Sequence, residues 1–297
     1  MNFRVVASAL NLRSEPRVLP ANRIALLPQG HLVTKLADAD DPAWIRVSTT
    51  LDGASLEGFV AREHLLPEAG APTPPAAAGL RPVHLRENRP EVTRQNQSLL
   101  AFPLGESDRP SRTAPDPAEL VAIVDYLAVD SSPRYQKRHG DTFCNIYAYD
   151  YCCLARVFLP RVWWTPPAVV RLARGEEVQV QFGVTVGEIN ANGLFSWLRD
   201  FGSEFGWSRA ASESAVQDAA NAGRPAVIVA QRVSLNLPGH ISVVVPESAD
   251  RQARRSGGAV TVPLQSQAGG TNFRFSASAG RWWTHQKFRD AAFWIAP

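Results

Sequence analysis

A proline-, alanine- and glycine-rich stretch divides the chain into a short block and a long one. Residues 67–80 read PEAGAPTPPAAAGL and contain four prolines. Proline removes backbone hydrogen-bond donors, and the small residues offer little apolar surface to bury, so this stretch favours a semi-extended linker. We therefore expect one domain over residues 1–66, a linker over 67–81 and a second domain over 82–297.

The composition is that of a globular protein and excludes several classes of function. Hydrophobic residues make up 45% of the 297 positions, enough for a core in each of two domains. The net charge of +3 is too small to indicate nucleic-acid binding, but it suits work near an anionic bacterial wall. No apolar stretch approaches the roughly 20 residues of a membrane helix. HExxH, Walker and GxGxxG motifs are lacking, so we expect no metal, nucleotide or other cofactor.

The short block has the pattern of an all-β domain. Its apolar or alternating runs are separated by turn-forming residues, PQG at 28–30, DDP at 40–42 and DG at 52–53. Five short strands within residues 1–66 suit a small barrel. The strands are expected at residues 5–7, 24–27, 32–36, 44–47 and 57–60.

The order of motifs in this block resembles that of bacterial SH3 domains. LNLRSEP stands at 10–16, a glycine at position 30, WIRV at 44–47 and GFV at 58–60. The resemblance covers residues 1–66 and implies an SH3-like barrel. Such a module binds cell-wall peptide or glycan, or positions a catalytic domain. Core packing is the alternative role for Trp44 and Phe59.

The first clear element of the long block is a helix over residues 117–127. Four apolar residues between 120 and 127 recur at helical spacing. Asp116 is suited to cap the helix, and Pro117 is suited to its first position.

A second helix is expected to begin near Cys144. Gly140 interrupts the preceding chain, and Asp141 or Thr142 is suited to cap the helix. In a first turn, the helix dipole and the free backbone N–H groups stabilise a thiolate, which lowers the pKa of the thiol below about 8.5. The same N–H groups can receive the oxyanion of a tetrahedral intermediate. This position selects Cys144 as a nucleophile.

The other two cysteines are expected to pack rather than react. The chain has three cysteines, of which Cys152 and Cys153 are adjacent, so they do not form a disulfide framework. Both lie two or more turns beyond Cys144, where the field of the helix has faded.

His240 is the histidine best placed to serve as the base. Of the six histidines, it is the one that opens an apolar strand, directly after Pro238 and Gly239. Residues 223–230 and 240–245 have the pattern of a hairpin, with His240 at the mouth of its second strand. Because a thiolate nucleophile needs an imidazole partner, we expect Cys144 and His240 to form a catalytic pair.

The surroundings of this pair resemble the NlpC/P60 and CHAP branches of the papain-like cysteine peptidases. TFCN stands at 142–145, GRPAVIV at 223–229 and GHISVV at 239–244, and the resemblance covers residues 130–297. It implies an α+β fold in which the helix that carries the cysteine packs on an antiparallel sheet whose strand begins with the histidine. It also implies hydrolysis of an amide bond in peptidoglycan. Asn145 replaces the Ser-Gly of the commoner D-C-S-G signature, which leaves the scissile bond open.

The resemblance places a third catalytic residue, which orients the imidazole, on the strand after the histidine strand. Residues 259–272 supply that strand and its end. Asn272 is the first candidate, by analogy with a Cys-His-Asn arrangement, followed by Gln267 and Glu247. A turn after the preceding pair of glycines is the alternative role for Asn272.

Aromatic residues supply further candidates for the cleft. Tyr135, nine residues before Cys144, matches a tyrosine that in NlpC/P60 enzymes lies beside the nucleophile and can hydrogen-bond the substrate. Closure over the core is the alternative for Tyr135. Trp197 and the pair Trp282–Trp283 are expected to pack on the sheet, with lining of the cleft as the alternative.

Three functions remain open on these observations. The first is a peptidoglycan endopeptidase or N-acetylmuramoyl-L-alanine amidase, since the catalytic pair and the SH3-like module could both act on the cell wall, one by cleaving it and the other by binding it. The second is a cysteine protease or deamidase that acts on a protein. The third is an inactive hydrolase fold that serves as a binding module, and the presence of both Cys144 and His240 argues against it.

The first residues do not have the pattern of a secretory signal peptide. Residues 1–13 lack a charged start, a full apolar core and a small-residue cleavage site in that order. We therefore expect synthesis in the cytoplasm and release to the wall by lysis or by a dedicated secretion machine, with an injected antibacterial toxin favoured. The expected partners are peptidoglycan and an immunity or inhibitor protein, with no nucleic acid and no membrane span.

Overall fold

A computed structural model describes residues 2–7, 9–51, 53–67, 89–92 and 102–297, so nearly all of the expected linker lies outside the described residues. These residues form both helices and strands, in agreement with the expected α+β class. Over the ranges given above, no helix has the length and apolarity that crossing a membrane would require. The α-helices in these ranges are α1 (Pro117–Leu127), α2 (Cys144–Leu154), α3 (Pro166–Ala173), α4 (Ala191–Phe201) and α5 (Glu213–Asn221).

The same described ranges contain seventeen strands. Seven precede α1, namely β1 (Asn2–Val5), β2 (Ala9–Arg13), β3 (Arg23–Pro28), β4 (Leu32–Asp38), β5 (Trp44–Leu51), β6 (Ala54–Ala61) and β7 (Leu65–Pro67). Ten follow α2, namely β8 (Val162–Trp164), β9 (Val186–Glu188), β10 (Ser208–Ala210), β11 (Ala226–Arg232), β12 (His240–Val244), β13 (Arg254–Ser256), β14 (Ala259–Val262), β15 (Gln265–Gln267), β16 (Phe273–Ser276) and β17 (Phe288–Ile295).

The chain divides into two compact units. One comprises Met1–Gln97 and Val162–Glu188, and the other comprises Ser98–Arg161 and Ile189–Pro297. Strands β8 and β9 and helix α3 belong to the first unit, although they lie within the range 82–297 that the sequence assigns to a second domain. A long-range association of this kind leaves no local mark in the sequence.

The first unit contains a seven-stranded antiparallel sheet. Its strand order is β3-β2-β6-β5-β4-β1-β7. Four of the five expected strands coincide with β3, β4, β5 and β6, whereas the strand expected at 5–7 lies earlier, as β1, and β2 and β7 were not expected. Strand β2 alternates as a half-buried strand does, with Leu10 and Leu12 buried and Asn11 between them partly exposed. The core of the sheet includes Leu12, Leu27, Ile45, Val47 and Val60.

The second unit is built on a six-stranded antiparallel sheet in the order β10-β17-β11-β12-β15-β16. The expected hairpin is present, since β11 pairs with β12 and Ala230 lies opposite His240. The single strand expected over 259–272 is wrong. Strand β14 pairs with β13 outside the main sheet, whereas β15 pairs with β12 within it. Pro263 lies between β14 and β15 and cannot donate to a strand ladder, which accounts for the break.

Helix α2, which begins at Cys144, is buried on nearly all sides. Its contacts with the surrounding fold hold Cys144 in position. Tyr147 of α2 is fully buried, and its hydroxyl hydrogen-bonds the buried hydroxyl of Ser266 on β15, so the helix lies on the sheet. Helix α1 is as predicted, because the Asp116 side chain accepts from the Ala118 N–H at its N-terminus and its four apolar residues are buried.

Candidate active site

Cys144 is the first residue of helix α2, as the sequence predicts, but the expected caps are wrong. The N-cap is Phe143, which offers no side-chain hydrogen bond, rather than Asp141 or Thr142. The first-turn N–H groups of a helix have no partner within the helix. Without a polar cap, the N–H groups of Asn145 and Cys144 are left to act on the sulfur, and each lowers the pKa of the thiol.

The thiol of Cys144 is neutral in the resting site, contrary to the sequence-based expectation. Burial raises the pKa of this thiol, which is only 5% exposed. The N–H groups of Ile241, Asn145 and Cys144 act in the opposite direction, because they stabilise the thiolate, but burial outweighs them. The helix N-terminus therefore lowers the free energy needed to form the thiolate, but the thiol remains the stable form.

His240 is the first residue of β12, a strand that packs against helix α2. Its neighbour Ile241 donates its backbone N–H to the Cys144 sulfur, so the start of α2 and the start of β12 meet. Burial lowers the pKa of His240 to about 4. Both members of the pair are thus uncharged at neutral pH, and the imidazole is free to accept a proton.

Gln267 of β15 orients the imidazole. The His240 Nε2 lies 2.8 Å from the Gln267 Oε1, and the Gln267 amide donates from Nε2 to the Thr271 carbonyl at 3.0 Å. A carbonyl can only accept, so the amide nitrogen faces Thr271 and the amide oxygen faces the histidine. The neutral imidazole must then carry its proton on Nε2, which leaves Nδ1 as the basic nitrogen.

Strand register explains why Gln267, the second candidate, holds this role. Val243 lies opposite Ser266. Continuing this antiparallel register places Gly269 opposite His240, where an added Cβ would lie 3.2 Å from the imidazole Cε1. Gln267 reaches the ring on the diagonal, a distance that long side chains span in a sheet.

Asn272, predicted as the third catalytic residue, is a structural residue instead. Its amide donates to the carbonyls of Val129 and Tyr135 at 3.0 and 2.9 Å, and its oxygen accepts from the Gly269 N–H at 2.8 Å. All of its polar atoms are occupied in holding the β15–β16 turn to the loop before α2.

Glu247, the remaining candidate, also acts elsewhere. It pairs with Arg255 and accepts from Asn221, and the Arg255 side chain is the main cause that lowers the pKa of Glu247 to about 2.

The prediction that Tyr135 contacts the substrate is wrong. Its side chain is 1% exposed, and its hydroxyl donates to the Asp150 Oδ2 at 2.7 Å. Arg134 holds the same carboxylate through two nitrogens, at 2.7 and 3.0 Å. Tyr135 therefore belongs to a buried ion-pair cluster that anchors the loop before α2 to the body of that helix.

Trp282 contacts the imidazole ring of His240, whereas the other candidate tryptophans pack in the core. Its ring meets the imidazole edge to face, with centroids 4.6 Å apart, and its Nε1 donates to the Gln265 Oε1 at 2.8 Å. Trp283 and Trp197 are buried, the latter against Phe158 and Phe205.

Asn192 positions the loop that leads into His240, a role that the sequence did not reveal. Its amide donates to the carbonyls of Leu235 and Leu237 at 3.2 and 2.9 Å, and its oxygen accepts from the Arg232 N–H at 2.9 Å. The loop closes tightly on it, since a Cβ on Gly239 would lie 2.5 Å from the Asn192 Oδ1. Only glycine fits at position 239 without displacing this support of His240.

Asn145 has a comparable supporting role. Its amide donates to the Ile189 carbonyl at 3.1 Å, next to Asn190, whose side chain caps α4 by accepting from the Gly193 N–H. The residue that departs from the D-C-S-G signature thus links the start of α2 to the start of α4.

The other cysteines differ from one another. Cys152 is fully buried, as predicted for a packing residue, whereas Cys153 is exposed, so its prediction is wrong. In any labelling experiment Cys153 is therefore the competing thiol.

We expect Gln267→Ala to lower kcat about fivefold, which corresponds to the loss of one hydrogen bond of roughly 1 kcal/mol. Gln267→Glu should retain the Nε2 proton, and its carboxylate should raise the pKa of His240 above about 4. The base works when it is unprotonated, so the acid limb of kcat/KM should move to higher pH. A merely structural role for Gln267 would leave the limb unmoved.

Asn272→Ala is the matched control for this experiment. It should destabilise the protein, since it removes a donor from two carbonyls and an acceptor from one N–H, yet leave the pH profile of kcat/KM unchanged. An altered profile in Asn272→Ala, together with an unaltered one in Gln267→Glu, would restore Asn272 as the orienting residue.

No group of three or more histidine, cysteine or acidic residues that could hold a metal occurs in the part of the chain that the structure describes. In comparisons with known proteins, no family model, curated protein or solved structure matches the chain. The geometry of the site itself therefore carries the functional argument.

Proposed function

We propose that the protein is a cysteine hydrolase that cleaves an amide bond of peptidoglycan. In this proposal the second unit is a papain-like domain of the NlpC/P60 or CHAP kind, and the N-terminal sheet is an SH3-like module. The observation that carries the proposal is an arrangement of three groups: Cys144 stands on a helix N-terminus, His240 starts the strand whose next residue, Ile241, lies at the Cys144 sulfur, and Gln267 holds the imidazole Nε2. Nucleophile, base and orienting group are the three parts that thiol catalysis requires.

The proposed reaction begins with the neutral pair. Nδ1 of His240 takes the proton of the Cys144 thiol as the sulfur attacks the amide carbonyl carbon, which gives a tetrahedral oxyanion. The oxyanion collapses, the C–N bond breaks, and the imidazolium returns the proton to the leaving nitrogen. The remaining thioester is hydrolysed by water, which the same imidazole deprotonates, so that a carboxylic acid is released and the thiol is restored.

The start of α2 also supplies the charge stabilisation that this reaction needs. The backbone N–H groups of Cys144 and Asn145 lie at the sulfur, and the helix dipole points its positive end at the same place. Donors fixed in this way can stabilise the developing oxyanion as well as the thiolate. Gln267 keeps the Nε2 proton in place throughout, which stabilises the imidazolium as it forms.

The choice of peptidoglycan rests on the two parts of the chain together. The N-terminal block has the motif order of bacterial SH3 domains and forms an antiparallel sheet. A tethered second contact with an insoluble polymer raises the local concentration of the catalytic unit. We propose that the enzyme acts outside the cytoplasm that makes it, as a secreted antibacterial toxin or as a lysin.

The test is digestion of purified peptidoglycan, followed by mass spectrometry of the released fragments. New amine and carboxylate ends in one type of fragment would identify the scissile bond, as a stem-peptide endopeptidase or an amidase, and Cys144→Ala should release none. If a protein substrate is cleaved and peptidoglycan is not, the result would favour a protease or deamidase. If neither is hydrolysed, the result would favour a binding module.

Expression in two compartments tests the site of action. Cytoplasmic expression should be tolerated, because the substrate is out of reach, whereas export to the periplasm should lyse the host when Cys144 is present. Toxicity that is confined to the cytoplasm would contradict action on the wall.

A further inference from the structure

A cavity of about 560 Å³ opens on the flank of His240. His240 and Gln267 form part of its wall, and Cys144 does not line it. Aromatic rings supply the apolar part of the wall, namely Phe273, Trp282 and Phe288. The cavity therefore adjoins the base on the side of its Nε2–Gln267 bond.

The cavity is electropositive. Arg232 and Lys287 both line it, and none of the aspartates and glutamates that the structure describes does. The charge of Lys287 reaches the imidazole, since it is one of the causes that lower the pKa of His240. Two cations without a carboxylate in one partly enclosed space favour an anionic occupant.

One donor of Arg232, its Nε, is unsatisfied in the part of the chain that the structure describes. Its Nε is buried and has no hydrogen-bond partner in the described residues, and its guanidinium lies 5.8 Å from the centroid of the Phe288 ring. Its backbone is fixed by pairing with Phe288 across β17 and by the hydrogen bond from its N–H to Asn192. A buried donor without an acceptor destabilises the protein. An acceptor supplied by a ligand would remove this cost, so Arg232 is suited to bind one.

The place of the cavity decides which part of a substrate enters it. In the proposed reaction the acyl group stays on the Cys144 sulfur, while the leaving nitrogen takes its proton from His240. The amine side of the scissile bond must therefore pass the imidazole. Nδ1 protonates the nitrogen, and the cavity begins at the opposite, Nε2 edge of the ring, where the part of the fragment beyond the nitrogen would enter.

We propose that this cavity binds a carboxylate carried by the amine-side fragment of the substrate, with Arg232 as the main ligand and Lys287 as a second. The inference rests on the proposed function for the direction of the substrate, but the binding itself needs no catalysis. It names the substrate class as amides whose leaving amine bears a free carboxylate close to the nitrogen. The aromatic rings would cover the short aliphatic part between the two groups.

The experiment uses the full chain with Cys144→Ala, so that binding is measured without turnover. The probes are alanyl-alanine with its free carboxylate and alanyl-alanine amide, titrated by calorimetry. We expect the carboxylate form to bind at least about tenfold more tightly, as one charge-assisted hydrogen bond predicts, and Arg232→Gln to abolish the difference. Lys287→Gln should reduce it.

The matched control is Arg289→Gln, which removes a cation from the same sheet that bonds Gln231 and does not line the cavity. It should leave the preference intact. Equal affinity for the two probes, a preference that survives Arg232→Gln, or no binding of the carboxylate form at the highest soluble concentration would each overturn the inference. Arg232-dependent binding in a protein that hydrolyses nothing would instead retain the cavity and refute the proposed function.

Discussion

Cys144→Ala is expected to abolish hydrolysis while the protein remains folded. Removal of a protease nucleophile lowers kcat on the order of 10⁶-fold, and no other thiol can substitute. Cys152 is fully buried, and Cys153, although exposed, lies more than two turns along the helix. The measurement is the rate of fragment release from peptidoglycan, with the melting temperature as the check on folding.

Thiol labelling provides the second readout and needs a background free of the exposed thiol. In Cys153→Ala, one equivalent of iodoacetamide should react, at Cys144, and in the Cys144→Ala/Cys153→Ala double variant none should. Cys152→Ala, on the same helix, is the control for packing and should lower stability with little change in rate. Activity of Cys144→Ala near that of the wild type would remove the nucleophile from the mechanism.

The sequence predicted those parts of the site that local signals encode. A glycine before a helical pattern puts Cys144 at the start of α2, and a Pro-Gly turn before an apolar run puts His240 at the start of β12. Both signals lie within a few residues of the group they position, so a single segment was enough to find each one.

The parts that failed depend on how distant segments meet. The break at Pro263 and the register of β15 on β12 decide that Gln267, and not Asn272, reaches the imidazole. The buried pairing of Arg134 with Asp150 decides that Tyr135 faces away from solvent. The prediction of a lowered pKa for Cys144 was wrong for a related reason. The helix dipole is a local effect, but the burial that outweighs it depends on the whole fold.

His240→Ala is expected to lower kcat by about 10²–10⁴-fold, the usual contribution of a general base. In the proposed reaction the imidazole removes the thiol proton and later returns it to the leaving amine. Burial raises the pKa of that thiol, so the reaction depends on the base. His64→Ala, at a partly exposed histidine of the N-terminal unit, is the matched control and should leave kcat unchanged.

The pH profile separates a base from a residue that only supports the fold. The pKa of His240 is lowered to about 4, so the wild-type enzyme should keep its base unprotonated between pH 6.5 and 4, where an ordinary imidazole is already protonated. The acid limb of kcat/KM should therefore lie near pH 4 in the wild type and disappear in His240→Ala. In that variant the reaction of Cys144 with iodoacetamide should depend on spontaneous loss of the thiol proton and rise only at alkaline pH. An acid limb that persists unchanged in His240→Ala would assign the titration to another group, and with it the role of the base.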